Sequence, residues 1–500
     1  MMDFRSVAKR VSVKQQAKRY GKLTRILKIA FVATIAALLS PAHASNLPAS
    51  ISQLLQKAGI PEDAIAVFVQ PVDASQPSLT VNADKAMNPA SVMKLVTTYA
   101  GLELLGSGYT WRTEVYTQGN IQDDRLQGDL IIKGYGDPSL NLENFWQLVR
   151  QVRQTGLREI SGDLVLDYSH YNLAPASPAA FDGERYKPYN VLPEALLVNY
   201  RTSALHIMPD GQRDQIRIVE DPELQLMDLH NQMQSTRKNC GNWRHHVRTE
   251  ILENGVGSKR PSVKFNGNYS LHCGHNTYYL SLHDSEHYIH GLFKSFWQQS
   301  GGSFNGRVRR EKIPGGTIPI RTFHSPPLAD VIRGINKFSN NVAARQLYLS
   351  LGEKQTNGNQ SLSMDLAHAA IRQWLFTKRL NFPELVIENG SGLSRKERIS
   401  ARHLGKLLVD AFHSPVMPEF MSSLAVMGID GTTRNRLKKT GVVGRSHLKT
   451  GSLRDVSAIA GYVLDNKNRR HVFVFVVNHP KAASARAAMD TFIKWIHVSS

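Results

Sequence analysis

Cysteine is nearly absent from this chain: 500 residues hold two, Cys240 and Cys273. Even with His245, His246, His272 and His275 close by, their spacing matches no standard zinc module. No metal and no cofactor is expected. An even pair in an exported chain predicts a disulfide, with free thiols or metal ligation as the alternatives. Long apolar runs are also missing. The stretch Ile29–Leu39 has eleven residues, too few to span a bilayer. Acidic residues are scarce, 41 against 61 Lys and Arg, for a net charge of +20. Yet outside the first 44 residues no dense Lys/Arg run carries interleaved aromatics. That argues against nucleic-acid binding. Attraction to an anionic polymer or lipid surface, or a solvated surface with no specific partner, remain as readings of the charge.

The start of the chain has the pattern of a secretory signal. Nine basic residues from Arg5 to Lys28 precede the Ile29–Leu39 apolar run, and Ala42-His43-Ala44 is a small-x-small cleavage site. The expectation is export to the periplasm with cleavage after Ala44. Removing nine basic residues and one acidic residue from 61 and 41 leaves 52 and 40, or +12.

What is present is a serine three residues before a lysine, in Asn88-Pro89-Ala90-Ser91-Val92-Met93-Lys94. The sequence predicts a helix start here, with Pro89 in the first turn. Residues i and i+3 share a helix face, so Ser91 and Lys94 point the same way. A lysine held neutral by burial or nearby positive charge can take the proton from a serine nucleophile. Two further motifs follow in order, Ser339-Asn340-Asn341 and Lys449-Thr450-Gly451.

Each pattern has decoys. Ser235-Thr236-Arg237-Lys238 repeats the first, Ser139-Leu140-Asn141 and Ser303-Phe304-Asn305 the second, Lys439-Thr440-Gly441 the third. Context separates them. Ser339 is expected in a loop between two helices. The first would be capped by Ser325 with Pro326 in its first turn, and the second would run Val342 to Leu351. Lys439 is expected to end a helix, Thr432 to Lys439, with Gly441 as its C-terminal cap. Lys449 lies in an alternating, strand-like stretch from Ser446 to Leu453, so it is the site lysine.

Chain length predicts two or three domains. A helix at Leu47–Ala58 and strands at Ala64–Val72 and Leu79–Val81 precede Ser91. Strands near Ser446–Leu453, Val456–Leu464 and His471–Val477 and a helix at Ala482–Val498 follow Lys449. Both chain ends are therefore expected to build one sheet-and-helix catalytic domain, residues 45–115 with 320–500. Residues 116–319 form inserted domains, with a smaller module at about 198–299. Within the insert, Gly128-Asp129-Leu130-Ile131-Ile132 and Gly162-Asp163-Leu164-Val165-Leu166 echo each other as strand starts. An amphipathic helix containing Phe145, Leu148, Val149 and Val152 lies between them.

The three ordered motifs with a long insert after the first resemble those of the penicillin-recognising serine enzymes. Among these the chain resembles the low-molecular-mass class C penicillin-binding proteins, the D-alanyl-D-alanine carboxypeptidases/endopeptidases of the penicillin-binding protein 4 type. Gly136-Asp137-Pro138-Ser139-Leu140, the segment from Leu192 to Tyr200, Asn389-Gly390-Ser391-Gly392-Leu393-Ser394-Arg395 and Gly428-Ile429-Asp430-Gly431-Thr432 extend the likeness. The resemblance implies an α/β (α+β) transpeptidase/β-lactamase-like domain with a five-stranded antiparallel sheet flanked by helices, and nested, mainly-β inserts. It also implies peptidoglycan stem peptides as substrate and β-lactams as covalent inhibitors.

The residue roles follow. Ser91 attacks the carbonyl and forms an acyl-enzyme, with Lys94 as general base. Ser339 relays a proton to the leaving amine, and Asn341 holds the substrate amide or orients Lys94. Lys449 and Thr450, in the Lys449–Ser452 stretch with Gly451, bind the substrate carboxylate. The backbone N–H of Ser91 and, by resemblance, that of Ser452 form the oxyanion hole. Two other functions share this pattern: a serine β-lactamase, and a non-catalytic envelope binding protein that keeps the fold. No dedicated carboxylate motif for a deacylating water is recognised.

Overall fold

The structure is a computed structural model that describes residues 47–224, 226–252, 260–356 and 360–499. The leader and its cleavage site lie outside the described residues. Among the described residues no helix is long and apolar enough to cross a membrane.

The central sheet has six strands, all antiparallel. Its order is Ala425–Val426, Ser446–Leu453, Val456–Leu464, Arg470–Asn478, Ile65–Pro71, Leu79–Val81. The expected count was five. The sixth is the two-residue strand Ala425–Val426, too short to show a period in sequence. The N-terminal strand pairs with one near the C-terminus in register Ile65↔Val477 to Pro71↔His471. Both ends of the chain thus share one sheet.

Strands Val456–Leu464 and Arg470–Asn478 are buried almost throughout. Alternate residues serve two cores. Ile459, Val463, Phe473, Phe475 and Val477 pack against Phe492, Ile493 and Ile496 of the last helix, Arg486–Ser499. Ala458, Ala460, Tyr462, Val472, Val474 and Val476 face the other way, onto the helix Lys94–Leu105. That helix is buried on every side from Lys94 to Leu102, as a helix apolar all round must be. A lysine at its first position is therefore carried into the core.

Strands between Arg112 and His324 build a seven-stranded mixed sheet under two helices, Leu142–Arg153 and Ser285–Gln299. The echoed segments pair in parallel, Leu130↔Leu164 to Ile132↔Leu166. Their aspartates, Asp129 and Asp163, both contact Arg309. Two three-stranded sheets between Ser203 and Leu280 enclose a separate small core with Trp243, Phe265 and Tyr269. Helix Ser285–Gln299 packs instead against the larger sheet, through Tyr288, Leu292 and Trp297. Cys240 and Cys273 are joined in a disulfide at the edge of the small core.

Two local expectations fail. No helix runs from Thr432 to Lys439. Only Gly431–Thr433 makes a single 3-10 turn, and the rest is irregular. Leu437 takes a positive φ of 52°, and buried Arg436 is pinned to Asp490 of the last helix at 2.6 Å. Tertiary contacts override a weak propensity here. Nor does Ser325 cap a helix. Pro326 and Pro327 push their predecessors toward extended backbone, so the helix starts at Leu328 with Pro327 before it. The Ser325 hydroxyl instead accepts the Trp111 N–H at 3.0 Å.

Candidate active site

Ser91 lies in a four-residue 3-10 turn, Ala90–Met93, that feeds the helix Lys94–Leu105. The turn is tighter than the plain helix start expected, and Ala90 takes a φ of +47°. Asn88 sets it. Its side-chain oxygen accepts from Ala90 N–H at 2.8 Å, and its amide donates to the Ser394 carbonyl at 2.9 Å. Its backbone exchanges two hydrogen bonds with the Asn478 side chain. The nucleophile turn is therefore tied to both the central sheet and the loop from 389 to 397.

Lys94 has no exposed surface. Its Nζ lies 3.0 Å from Ser91 Oγ, 2.6 Å from Asn341 Oδ1 and 2.5 Å from the Ser391 carbonyl oxygen. A neutral amine has two N–H donors and one lone pair. The two acceptors, Asn341 Oδ1 and Ser391 O, use both donors. In that neutral form the lone pair is what remains to face Ser91 Oγ. Burial first, then the positive charges of Lys449 and Arg345, hold the Lys94 amine well below its ordinary range, while Glu397 opposes them. The site thus contains a serine hydroxyl facing an amine whose charged form is disfavoured.

The second serine comes from the loop between helices Leu328–Lys337 and Asn341–Ser350. Asn340 caps the second helix by accepting from Ala343 N–H, which puts Asn341 at its first position. Ser339 takes a φ of +59°, a strained geometry for a non-glycine residue. Its Oγ lies 2.9 Å from Lys449 Nζ. Lys449, fully buried, also donates to the Thr450 carbonyl at 2.8 Å, and burial pulls its amine down to about 7.

Strand Ser446–Leu453 pairs with Ala425–Val426 only through His447 and Leu448. Beyond Leu448 its outer edge runs past the Ser91 turn. Gly451 makes that approach possible: a Cβ there would lie 2.5 Å from the Pro89 carbonyl oxygen and 3.0 Å from Ser91 N. Ser452, the next residue, is exposed. Thr450 is partly exposed and its hydroxyl donates to Thr432 Oγ1 at 2.8 Å.

Ser91, Lys94, Ser339, Asn341, Lys449 and Thr450 are thus linked through direct hydrogen bonds into two groups, with Gly451 packed against the serine turn. Cys240 and Cys273 lie in the insert's small core, away from this centre. The decoys lie elsewhere too. Ser235 is on a strand of the small module, Ser139 bonds Asp137, Ser303 is in the edge strand Ser303–Phe304, and Lys439 is exposed in a turn. Asp137 is buried and accepts from Ser139, as a turn residue does. Arg395 pairs with Asp455 at 2.8 Å.

Sequence reasoning gave no role to five residues in or around the centre. The Ser391 carbonyl holds Lys94. Gly392, at φ +76°, leaves no room for a Cβ beside the Ala90 carbonyl. Thr432 holds Thr450. Arg345 and Glu397 lie buried within electrostatic reach of Lys94. Ser391, Gly392 and Thr432 stood inside segments already noticed for family likeness. Arg345 and Glu397 carried no signal, because isolated charged residues in sequence read as surface. Among the described residues no cluster of three or more His, Cys, Asp or Glu side chains is arranged to hold a metal ion.

Comparison with known proteins agrees with this geometry. The D-alanyl-D-alanine carboxypeptidase of Actinomadura sp. is 23% identical over 438 residues, covering 85% of this chain and 79% of that protein. The D-alanyl-D-alanine carboxypeptidase DacB of Haemophilus influenzae is 23% identical over 434 residues, covering 86% and 88%. The crystal structure of the latter, penicillin binding protein 4, matches with a TM-score of 0.71 at 21% identity, over 89% of this chain and all of that one, and it has also been solved with a β-lactam. The fold is that of the penicillin-binding transpeptidase/β-lactamase-like proteins. The D-Ala-D-Ala carboxypeptidase 3 (S13) family model matches residues 47–497, nearly all of the described chain, and spans all three motifs. A buried lysine aimed at a serine, on that fold and within that match, makes this chain a serine hydrolase that belongs to the D-Ala-D-Ala carboxypeptidase 3 (S13) family.

Proposed function

We propose that this chain removes the terminal D-Ala from peptidoglycan stem peptides and cuts D,D-cross-links, through an acyl-enzyme on Ser91. The carrying observation is the fully buried Lys94 Nζ, held by Asn341 Oδ1 and the Ser391 carbonyl at 3.0 Å from Ser91 Oγ, where burial disfavours its charged form. Ser91 Oγ bonds to the carbonyl carbon of the penultimate D-Ala as its proton passes to Lys94. The amide C–N bond then breaks, and the departing amine takes a proton by way of Ser339, beside Lys449. Water adds to the ester, the peptide acid leaves, and Ser91 regains its proton. The Ser91 and Ser452 N–H groups stabilise the oxyanion. Lys449 and Thr450 bind the carboxylate next to the scissile bond.

One site serves both substrates. The amine released from a D-Ala to meso-diaminopimelate cross-link belongs to a D-centre with its own carboxylate, in the place of the terminal D-Ala carboxylate. In this reading residues 45–115 with 320–500 form the catalytic domain, and 116–319 are inserted domains with a small module at about 198–299. The protein works in the periplasm, with peripheral contact to the envelope, and β-lactams acylate Ser91.

The test is labelling with fluorescent penicillin, followed by a chase and peptide mass mapping. A stable adduct on the Ser91 peptide is expected. Rapid release of the label would favour a β-lactamase, and no label a binding protein. An adduct on Ser235 or Ser339 would overturn the assignment. Digestion of purified cross-linked muropeptides, with products read by mass, tests the substrate.

A further inference from the structure

Two large apolar side chains stand exposed beside the site. Phe338, 72% exposed, immediately precedes Ser339, and Ile429, 59% exposed, lies three residues before Thr432. A lone exposed apolar side chain is ordinary. These two differ because their backbone is held and their segments are joined. Lys337 is buried, and its amine donates to the Leu424 carbonyl at 3.0 Å and to Asp430 Oδ2 at 2.5 Å. Asp430 also accepts the Val426 N–H at 2.7 Å. A Cβ on Gly431 would lie 2.6 Å from the Lys337 carbonyl oxygen, so the two segments meet backbone to backbone. On the other side of Phe338, Ser339 Oγ is tied to Lys449 Nζ at 2.9 Å. Phe338 is therefore presented to solvent by fixed residues on both sides, not by a frayed loop.

Thr450 relates this pair to the reaction. In the functional reading above, Lys449 and Thr450 take the carboxylate next to the scissile bond. Thr450 donates to Thr432 Oγ1 at 2.8 Å, and Ser339, the relay to the departing amine, bonds to Lys449. Phe338 and Ile429 thus belong to the two segments that flank the leaving-group end. The two leaving groups differ there. From a pentapeptide it is D-Ala, whose side chain is one methyl. From a cross-link it is the D-centre of meso-diaminopimelate, which carries a run of three methylenes beyond its amine and carboxylate. An aliphatic run gains free energy by leaving water for an apolar surface.

We infer that Phe338, with Ile429, is a specificity-determining lip that packs on the aliphatic chain of the leaving amine and so favours cross-link cleavage over trimming. The inference rests on the functional reading above. The lip takes no part in bond making: the amide C–N bond breaks and the amine takes its proton as in trimming. A fully buried methylene is worth about fourfold. Partial cover of three therefore gives a preference of about tenfold in kcat/KM.

The test is kcat/KM for stem peptides ending in D-Ala-D-X, where X is D-alanine, D-2-aminobutyrate, D-norvaline or D-norleucine. The scissile bond and its carboxylate stay the same while the leaving side chain grows one methylene at a time. Wild type should cleave the D-norleucine peptide about tenfold faster than the D-alanine peptide. In Phe338→Ala that ratio should fall to about two- to threefold, with Phe338→Leu in between. Cleavage of a purified dimeric muropeptide should fall by a similar factor relative to trimming. Phe376→Ala, at an exposed phenylalanine of the helix Met364–Thr377, should leave the series unchanged. A cooperative thermal melt and acylation by fluorescent penicillin check that each variant is folded with its nucleophile intact. A flat wild-type series, or a folded Phe338→Ala protein with the wild-type slope, would overturn the inference. If Phe338→Ala does not fold, Ile429→Ala removes the other half of the lip and decides by the same slope. Wild type that takes no penicillin and releases no D-Ala removes the functional reading and this inference together. Normal trimming with a flat series removes only the inference.

Discussion

The chain contains two Lys-Thr-Gly triplets, so one substitution made in each tests which forms the site. At Gly451 a Cβ would sit 2.5 Å from the Pro89 carbonyl oxygen, 3.0 Å from Ser91 N and 3.1 Å from Ala90 Cβ. Ordinary contact begins near 3.4 Å, so strand and nucleophile turn must part by about 0.9 Å. The turn has little freedom to yield, because Asn88 ties it to Asn478 and Ser394. Overpacking of this kind costs about 1–3 kcal/mol. Its larger effect is on geometry. The proposed oxyanion donors at Ser91 and Ser452 lie on the two parts being separated, and loss of one such donor costs about 10²–10³ in rate. At Gly441 the nearest atom to an added Cβ is His497 Nε2 at 3.5 Å, which is ordinary contact. Gly451→Ala should therefore lower the acylation rate with fluorescent penicillin about a hundredfold, with a modest fall in Tm. Gly441→Ala should leave the rate within about twofold. Stopped-flow or gel-based acylation with thermal melts measures both. A Gly451→Ala protein that acylates at the wild-type rate would refute the packing argument and the oxyanion geometry drawn from it.

Three further outcomes are expected. Lys449→Ala removes a charge-assisted contact of about 1.5–3 kcal/mol, so pentapeptide trimming and cross-link cleavage should fall together by about ten- to a hundredfold, while Lys439→Ala spares both; cross-link cleavage at the wild-type rate with trimming abolished would refute the shared carboxylate site. The Cys240–Cys273 disulfide closes a sequence separation of 33, so replacing both by Ser should cost the small module about 3–4 kcal/mol, read as an earlier thermal transition and faster proteolysis between Ser203 and Leu280. Burial pulls the His447 imidazole down to about 4, so the unfolded chain takes up its proton near 6.5 while the folded protein does not; stability should therefore fall with pH from about 6.5 to 4 at up to about 1.4 kcal/mol per unit from this group, and His447→Gln should flatten that part of a Tm–pH curve.

How much of the fold was legible depended on where local pattern and tertiary contact agree. Strands Val456–Leu464 and Arg470–Asn478 are long and apolar, and tertiary packing reinforces what their sequence already favours. The segment after Gly431 is the opposite case. Its Thr, Asn and Arg residues read as a short helix, but buried Arg436 is claimed by Asp490, 54 residues away in sequence. Nothing local announces that bond. The strand Ala425–Val426 was invisible for a related reason: two residues carry no period, and pairing with Leu448 and His447 alone makes them a strand.

The site divides along the same line. Side chains whose chemistry depends on each other at fixed spacing could be read in advance, because Ser91 and Lys94 meet through the geometry of one turn. Ser339 and Lys449 meet across 110 residues, and only the ordered company of three motifs pointed to them. The groups that make Lys94 a base are of a different kind. Ser391 contributes a backbone oxygen, which every residue has. Arg345 contributes positive charge, which in sequence looks like solvated surface, as does the buried Glu397 that opposes it. Their effect exists only because the helix Lys94–Leu105 is buried on all sides, and that burial is a property of the whole sheet-and-helix packing. A motif thus identifies the atoms that react. The basicity of Lys94 depends on a low-dielectric pocket assembled from the helix Asn341–Ser350, the strand Ser446–Leu453 and the loop from 389 to 397. The serine-x-x-lysine match at Ser235 and Lys238 lies at the end of a strand in the small module, with the lysine exposed, and lacks that pocket.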